Sequence, residues 1–205
     1  MKFVLFVEGY TEAMALPAFL KKWLDPRLKS PVRVQPVRFE GWSELVRDVA
    51  LKAKMHLDRP SKDKVIAVIS LLDLYGPTFY PNHIRGKDER YDWAKRDMEK
   101  SVGEDRFFQF FAVHEVEAWL LSQPEIFPSP VSESLKSRVT KPEDVNSDNP
   151  PAKLLERLYH QHAKGRYKKL VHGAELFQKL DPSVAYSKCP RLKEMLDKML
   201  ELASE

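Results

Sequence analysis

KFVLFVEGYTE, residues 2–12, decides the fold: an unbroken apolar run from Phe3 to Val7 stops at an acid followed by glycine. A run that short, rich in β-branched and aromatic residues and without polar alternation, reads as a strand buried on both faces by flanking helices. VIAVISLL at 65–72 and FFQFFAV at 107–113 have the same character, while VRVQPVRF at 32–39 alternates and carries Pro36, which predicts an edge strand or a bulge. Between these runs Trp42, Leu45, Val46, Val49, Ala50, Ala53 and Leu57 recur at spacings of three and four and line one side of a helix. Residues 11–24 also read as a helix, with Pro17 placed to kink it or delay its start. Strand and helix alternate four times, which predicts an α/β fold of about four mainly parallel strands with right-handed crossovers.

The rest of the 205 residues divides by composition. Residues 1–123 form the predicted α/β core. Residues 124–151 hold six prolines among Ser, Asp and Asn and read as a loop-rich connector. Residues 152–205 form a predicted helical extension packed on the core, with helices over 152–163, about 168–180 and about 189–203. Ten Lys or Arg against three Asp or Glu between 152 and 193 give this block +7, leaving −3 for the remainder of a chain whose formal charge is +4. With His160, His162, His172, Tyr159, Tyr167 and Tyr186 interleaved, the block suits a polyanion, although a charge run is as often a solvated helix face.

Several classes are disfavoured. Only six apolar residues precede Glu8, and no run approaches the ~20 of a membrane span, so a soluble, cytoplasmic protein without a membrane partner is expected. The one cysteine, Cys189, has no zinc-ligand partner at suitable spacing. Walker A, dinucleotide-binding and G-x-S-x-G motifs are absent from the sequence.

In a parallel sheet ligands bind beyond the carboxyl ends of the strands, so the residues after each strand matter most. Glu8-Gly9 follows the first, Asp73 ends the third, and His114-Glu115-Val116-Glu117 follows the fourth. Singly each acid has a structural use, as a helix-dipole partner, a turn cap or a first-turn helix acid. Together, carboxylates at one rim repel, and the repulsion is relieved by a retained proton or by a hard cation such as Mg2+ or Mn2+.

At these residues the sequence resembles the Toprim superfamily, the catalytic domain of topoisomerases, DnaG-type primases and overcoming-lysogenization-defect nucleases, whose pattern is a glutamate after the first strand and Asp-x-Asp after the third. More narrowly, VEGYTE (7–12), LLDLYG (71–76), HEVEAWLL (114–121) and RYKKLVHG (166–173) resemble a bacterial Toprim-like family of unassigned function associated with phage defence and mobile elements. The resemblance covers most of the chain. It implies a Toprim-like, Rossmann-like core, Glu8 as general acid or base, and Asp73 as a magnesium ligand. Tyr75 departs from the pattern, standing where the second aspartate belongs, so that Glu115 or Glu117 must complete a metal site or the site is lost.

The leading expectation is a Mg2+- or Mn2+-dependent nuclease or related phosphoryl-transfer enzyme acting on DNA or RNA. Glu8, Asp73 and Glu117 would be catalytic, and the metal would be drawn to Asp73, Glu8, Glu115 and Glu117. Gly9, Thr11, Glu12, Arg85, His114, Tyr167, Lys168, Lys169 and His172 would face substrate, with Lys87 and Arg90 available to phosphates. The alternative is a non-catalytic Toprim-like module that binds nucleic acid or a defence-associated ATPase.

Overall fold

The structure, a computed structural model, describes residues 1–58, 64–136, 139–145, 149–162 and 166–204. Four parallel strands form one sheet in the order β2-β1-β3-β4: β1 is Lys2–Val7, β2 Arg33–Arg38, β3 Val65–Asp73 and β4 Phe107–Ala112. The predicted α/β class and strand count hold. Pro36 lies in β2, which pairs only with β1, as a residue without a backbone N–H requires.

The continuous apolar runs are explained by two cores, one on each face. Along β1, Phe3, Leu5 and Val7 enter one core and Val4 and Phe6 the other; along β4, Phe110 and Ala112 part from Phe107 and Phe111 in the same way. The period is two, but both faces are dry, so no polar alternation survives. Each fully buried Phe or Leu contributes roughly 1.5–3 kcal/mol.

Helices α2 (Trp42–Asp58) and α3 (Lys87–Val102) cover one face through Leu45, Val49, Ala53, Tyr91, Ala94 and Met98. Helix α1 (Tyr10–Leu24) covers the other and runs unbroken through Pro17, starting seven residues before it, so the proline neither delays nor ends the helix. After the short α4 (Glu117–Leu121), the chain adds α5 (Ser129–Lys136), α6 (Pro151–His162), a π-helical turn over Lys169–Gly173, α7 (Ala174–Lys179), α8 (Pro182–Lys188) and α9 (Pro190–Ser204). Leu135, Leu155, Leu158, Phe177, Leu192 and Leu196 join the same apolar cluster as Phe19 and Leu20 of α1. The C-terminal helices thus share one core with the sheet.

Residues 124–151, read as loop-rich, contain α5 and two single 3-10 turns at Pro124–Ile126 and Pro142–Asp144. Helix α8 also lies between the predicted segments. Among the described residues no helix is long and apolar enough to cross a membrane.

Candidate functional site

Parallel strands of similar register end together, and that brings distant acids to one edge. Glu8 leaves β1, Asp73 is the last residue of β3, and Glu117 is the first residue of α4, five positions beyond the Ala112 that pairs with Asp73. Glu12 reaches the same place from the first turn of α1. It does so by folding back over Gly9: a Cβ at position 9 would lie 2.2 Å from Glu12 Oε2, so only glycine leaves the carboxylate where it is.

At the centre is a cation from the C-terminal half. Lys169 Nζ stands 3.1 Å from Glu12 Oε1, 3.3 Å from Glu117 Oε1 and 3.8 Å from Asp73 Oδ2. The π-helical turn that carries it is pressed against α1: a Cβ on Gly173 would sit 3.0 Å from Thr11 Cγ2 and 3.5 Å from the Tyr167 hydroxyl.

Backbone donors fix two of the acids. Asp73 Oδ1 accepts from Val116 N at 3.0 Å, and Glu8 Oε1 accepts from Asp73 N at 3.4 Å. Two carboxylate oxygens of the cluster are left without a partner. Glu12 and Glu117 are 4% and 1% exposed, and the Oε2 of each is buried without a hydrogen-bond partner, as is the Tyr167 hydroxyl. Buried carboxylate oxygens that accept nothing are costly and call for a ligand.

Burial raises the Asp73 carboxyl well above its ordinary pKa; Lys169 pulls it back, and Glu8, Glu12 and Glu117 push it up further. Burial and then Glu12 raise Glu8. Burial pushes Glu117 up to about 7 against the pull of Lys169. Lys169 is held charged: burial opposes it, but Asp73, Glu117 and Glu12 outweigh that and raise its pKa. The site is a set of acids crowded beyond what one ammonium neutralises.

The other expected residues are placed differently. The Glu115 carboxylate turns to α6, where Oε2 accepts from Ala152 N at 2.9 Å, and it acts on the cluster only as a nearby charge that raises Glu117. His114 and Arg85 stand together with Lys87, Arg90 and Tyr75 on the adjoining β3–α3 loop side. Tyr167 is buried beside Tyr159, which stacks on His172 at 5.3 Å. His172 Nδ1 accepts from Lys168 N at 2.9 Å, and the Lys168 side chain is exposed. Cys189 is buried, and burial raises its thiol pKa, which keeps it a thiol.

A family model described as a domain of unknown function (DUF4276) matches residues 7–200. The chain belongs to this family. The four motifs that meet at the rim all fall within the matched residues. No curated protein matches the chain. Among solved structures, the C-terminal region of the Burkholderia pseudomallei OLD protein is similar in fold, with a TM-score of 0.50 and 17% identity over 98% of each chain. The C-terminal region of the Xanthomonas campestris pv. campestris OLD protein, phased with iodine, gives a TM-score of 0.44 and 16% identity over 97% of each chain. The fold of this chain is thus similar to that of the C-terminal region of the Burkholderia pseudomallei OLD protein.

Two features of this DUF4276 site escape a linear reading. Glu12, taken as substrate-facing, is a member of the acid cluster; its signal was the glycine three positions before it, which leaves room for a carboxylate. Lys169, taken as a phosphate contact, is bound to three of the acids, and nothing in the local sequence around 169 points to residues more than 50 positions away.

Proposed function

We propose that this protein is a Mg2+- or Mn2+-dependent phosphoryl-transfer enzyme acting on nucleic acid, a nuclease in the simplest case. One observation carries the reading: carboxylates from α1, β3 and α4 converge on one cation beside Glu8, and two of them keep a buried oxygen with no partner. Carboxylate oxygens are hard donors and match a hard divalent ion. Among the described residues no three acids or imidazoles stand together at metal-ligand spacing, because the Lys169 ammonium bridges them. The donor chemistry fits the ion, and the spacing fits the ammonium.

Asp73, Glu117 and Glu12 would hold the ion, with Glu115 committed to α6. When bound, the ion polarises a phosphoryl oxygen and lowers the pKa of coordinated water. Glu8, half-buried and raised in pKa, moves the proton at the attacking or leaving oxygen. Lys169, on a long flexible stem, pairs with carboxylates or with a phosphate oxygen at the same rim. Lys153, Arg157 and Arg166 line a hollow of about 520 Å3 beside Tyr167, and none of the three has an ion-pair partner among the described residues, so they are available to the substrate backbone.

The test is cleavage of single- and double-stranded DNA and RNA with Mn2+ or Mg2+. Glu8→Gln and Asp73→Asn are each expected to lower the rate at least 100-fold. Cleavage that survives both substitutions overturns the mechanism.

Lys169 and Tyr75 favour a second reading, a binding module whose acids are neutralised internally and whose second aspartate is gone, serving nucleic acid or a defence-associated ATPase. Calorimetry separates the two. Mn2+ binding that is lost in Asp73→Asn supports the enzyme, and its absence in the wild type supports the module.

A further inference from the structure

The loop from Leu74 to Gly86 leaves the sheet beside the acids, turning at Gly76 with φ +113, and encloses a hollow of about 650 Å3. Tyr75, Tyr80, Pro81, Ile84, Arg85 and Arg90 line it, and no acidic residue does. A smaller recess of about 60 Å3 shares Tyr75, Arg85 and Arg90 with it and adds Lys87 and His114. The volume is that of a small-molecule or single-nucleotide site.

Its walls are built rather than incidental. Tyr75 is 41% exposed, yet its backbone is fixed, because Tyr75 N donates to His114 O at 3.0 Å. The Tyr80 hydroxyl donates to Leu74 O at 3.0 Å, and its ring stacks on Phe79 at 4.8 Å. Phe79 in turn lies 6.1 Å from both Trp42 of α2 and Trp93 of α3, so an aromatic ladder anchors the loop to both helices. The Arg90 guanidinium lies over the Tyr80 ring at 5.2 Å, donates to Ile84 O at 3.5 Å and meets no carboxylate among the described residues. Arg85 is exposed and has no partner among the described residues.

From this arrangement we infer that the hollow receives an unpaired nucleotide of the substrate strand, its base on the Tyr75 ring and its phosphate between Arg85 and Arg90. The inference rests on the reading of the neighbouring acids as a nucleic-acid site and names the substrate form. An exposed phenol ring beside a free guanidinium, without competing acids, is the pairing that single strands use: the ring takes any base face and the cation takes the backbone. A duplex hides its base faces in the stack, so Tyr75 has nothing to stack on until a nucleotide is unpaired. The distance to the acids is short. Asp73 is two residues before Tyr75, and the Glu8 charge reaches the Tyr80 phenol, whose pKa burial raises first and Glu8 further. Tyr75, the departure from Asp-x-Asp, is then the residue that selects unpaired substrate.

Binding of a labelled single-stranded oligonucleotide is measured by fluorescence anisotropy in EDTA, so that no cleavage intervenes, against a blunt duplex of the same sequence. The single strand is expected to bind more tightly. Tyr75→Ala weakens it by roughly ten-fold, within the range one stacked base supplies, with the salt slope unchanged. Arg85→Gln lowers the salt slope by about 0.7, the value for one phosphate on a single strand. Both residues are exposed, and circular dichroism shows whether the variants keep the wild-type fold. Wild-type affinity in Tyr75→Ala, or equal preference for duplex and single strand, overturns the inference. Glu8→Gln keeps the binding while losing cleavage, so a Tyr75-dependent complex without any nuclease activity would sink the enzymatic reading and leave the pocket standing.

Discussion

At the scale of single residues, Glu117 shows how the site stores unfavourable charge. It is 1% exposed, and burial pushes its carboxyl up to about 7 although Lys169 opposes the shift. In the unfolded chain the same carboxyl loses its proton near 4.5. Between those values the folded protein binds more protons than the unfolded one, so stability falls as pH rises through that window and is lowest above it. Asp73 and Glu8, also raised by burial, act in the same direction. Thermal unfolding of the metal-free protein should therefore show a Tm that declines from about pH 5 to about pH 8. Glu117→Gln should flatten the decline and raise the Tm at the alkaline end; an unchanged slope would mean that the carboxylate is solvated or fully neutralised by Lys169.

At the scale of elements, Glu115, which a linear reading assigns to chemistry, is committed to a helix end, and Glu143 serves another in the same way. Glu115 accepts from Ala152 N in the first turn of α6, and Glu143 accepts from Arg191 N at 3.0 Å and Leu192 N at 3.2 Å at the start of α9. Orphan N–H groups in a helix's first turn need such acceptors, and a carboxylate also matches the positive end of the dipole. Glu115→Ala is expected to cost about 1 kcal/mol in urea unfolding, the usual loss for a capping side chain, while Mn2+ affinity stays within two-fold of wild type. A large loss of Mn2+ binding in that variant would return Glu115 to the ligand set.

The same scale explains which elements were legible. The strands were, because each is a dry run of apolar residues with helices on both sides. Helix α2 was, because 17 residues give its apolar face room to repeat. Helices α5 and α8, eight and seven residues long, complete barely two turns and show no repeat. Their signals are local: Pro130 lies in the first turn of α5, and Asp181 accepts from Ser183 N at 2.8 Å ahead of Pro182 in α8. A proline counted toward a loop-rich connector, Pro130, thus stands in the first turn of a helix. In the site, the acids after β1, β3 and β4 were legible because strand ends are, whereas the destination of the Glu115 side chain depends on where α6 docks.

At the scale of the molecule, the sheet has one face covered by α2 and α3 and the other by α1 together with helices beyond residue 123. Trp119, Leu120 and Phe19 lie in the second core against Leu155, Phe177 and Leu196. A fragment ending at residue 123 would expose that face, and at roughly 1.5–3 kcal/mol per large apolar side chain the loss exceeds ordinary domain stability. Such a fragment should be insoluble or lack cooperative thermal unfolding, which light scattering and circular dichroism would show. A soluble, cooperatively folded fragment would instead make the C-terminal helices an independent unit. Their basic block is also partly committed inward: Lys169 to the acids, Lys188 to Ser122 O at 2.6 Å, and Arg191 to Asp88 at 3.0 Å.

By itself the sequence determined the parallel α/β sheet and the rim at which Glu8, Asp73 and Glu117 gather, because burial on both faces and strand termination are written in short local runs. Only the tertiary structure decided that Glu12 joins them, that Glu115 leaves them, and that Lys169 stands in their midst. Those outcomes depend on how the C-terminal helices dock across the sheet, and charge pairing in a buried site follows distance in space, which spacing along the chain does not encode.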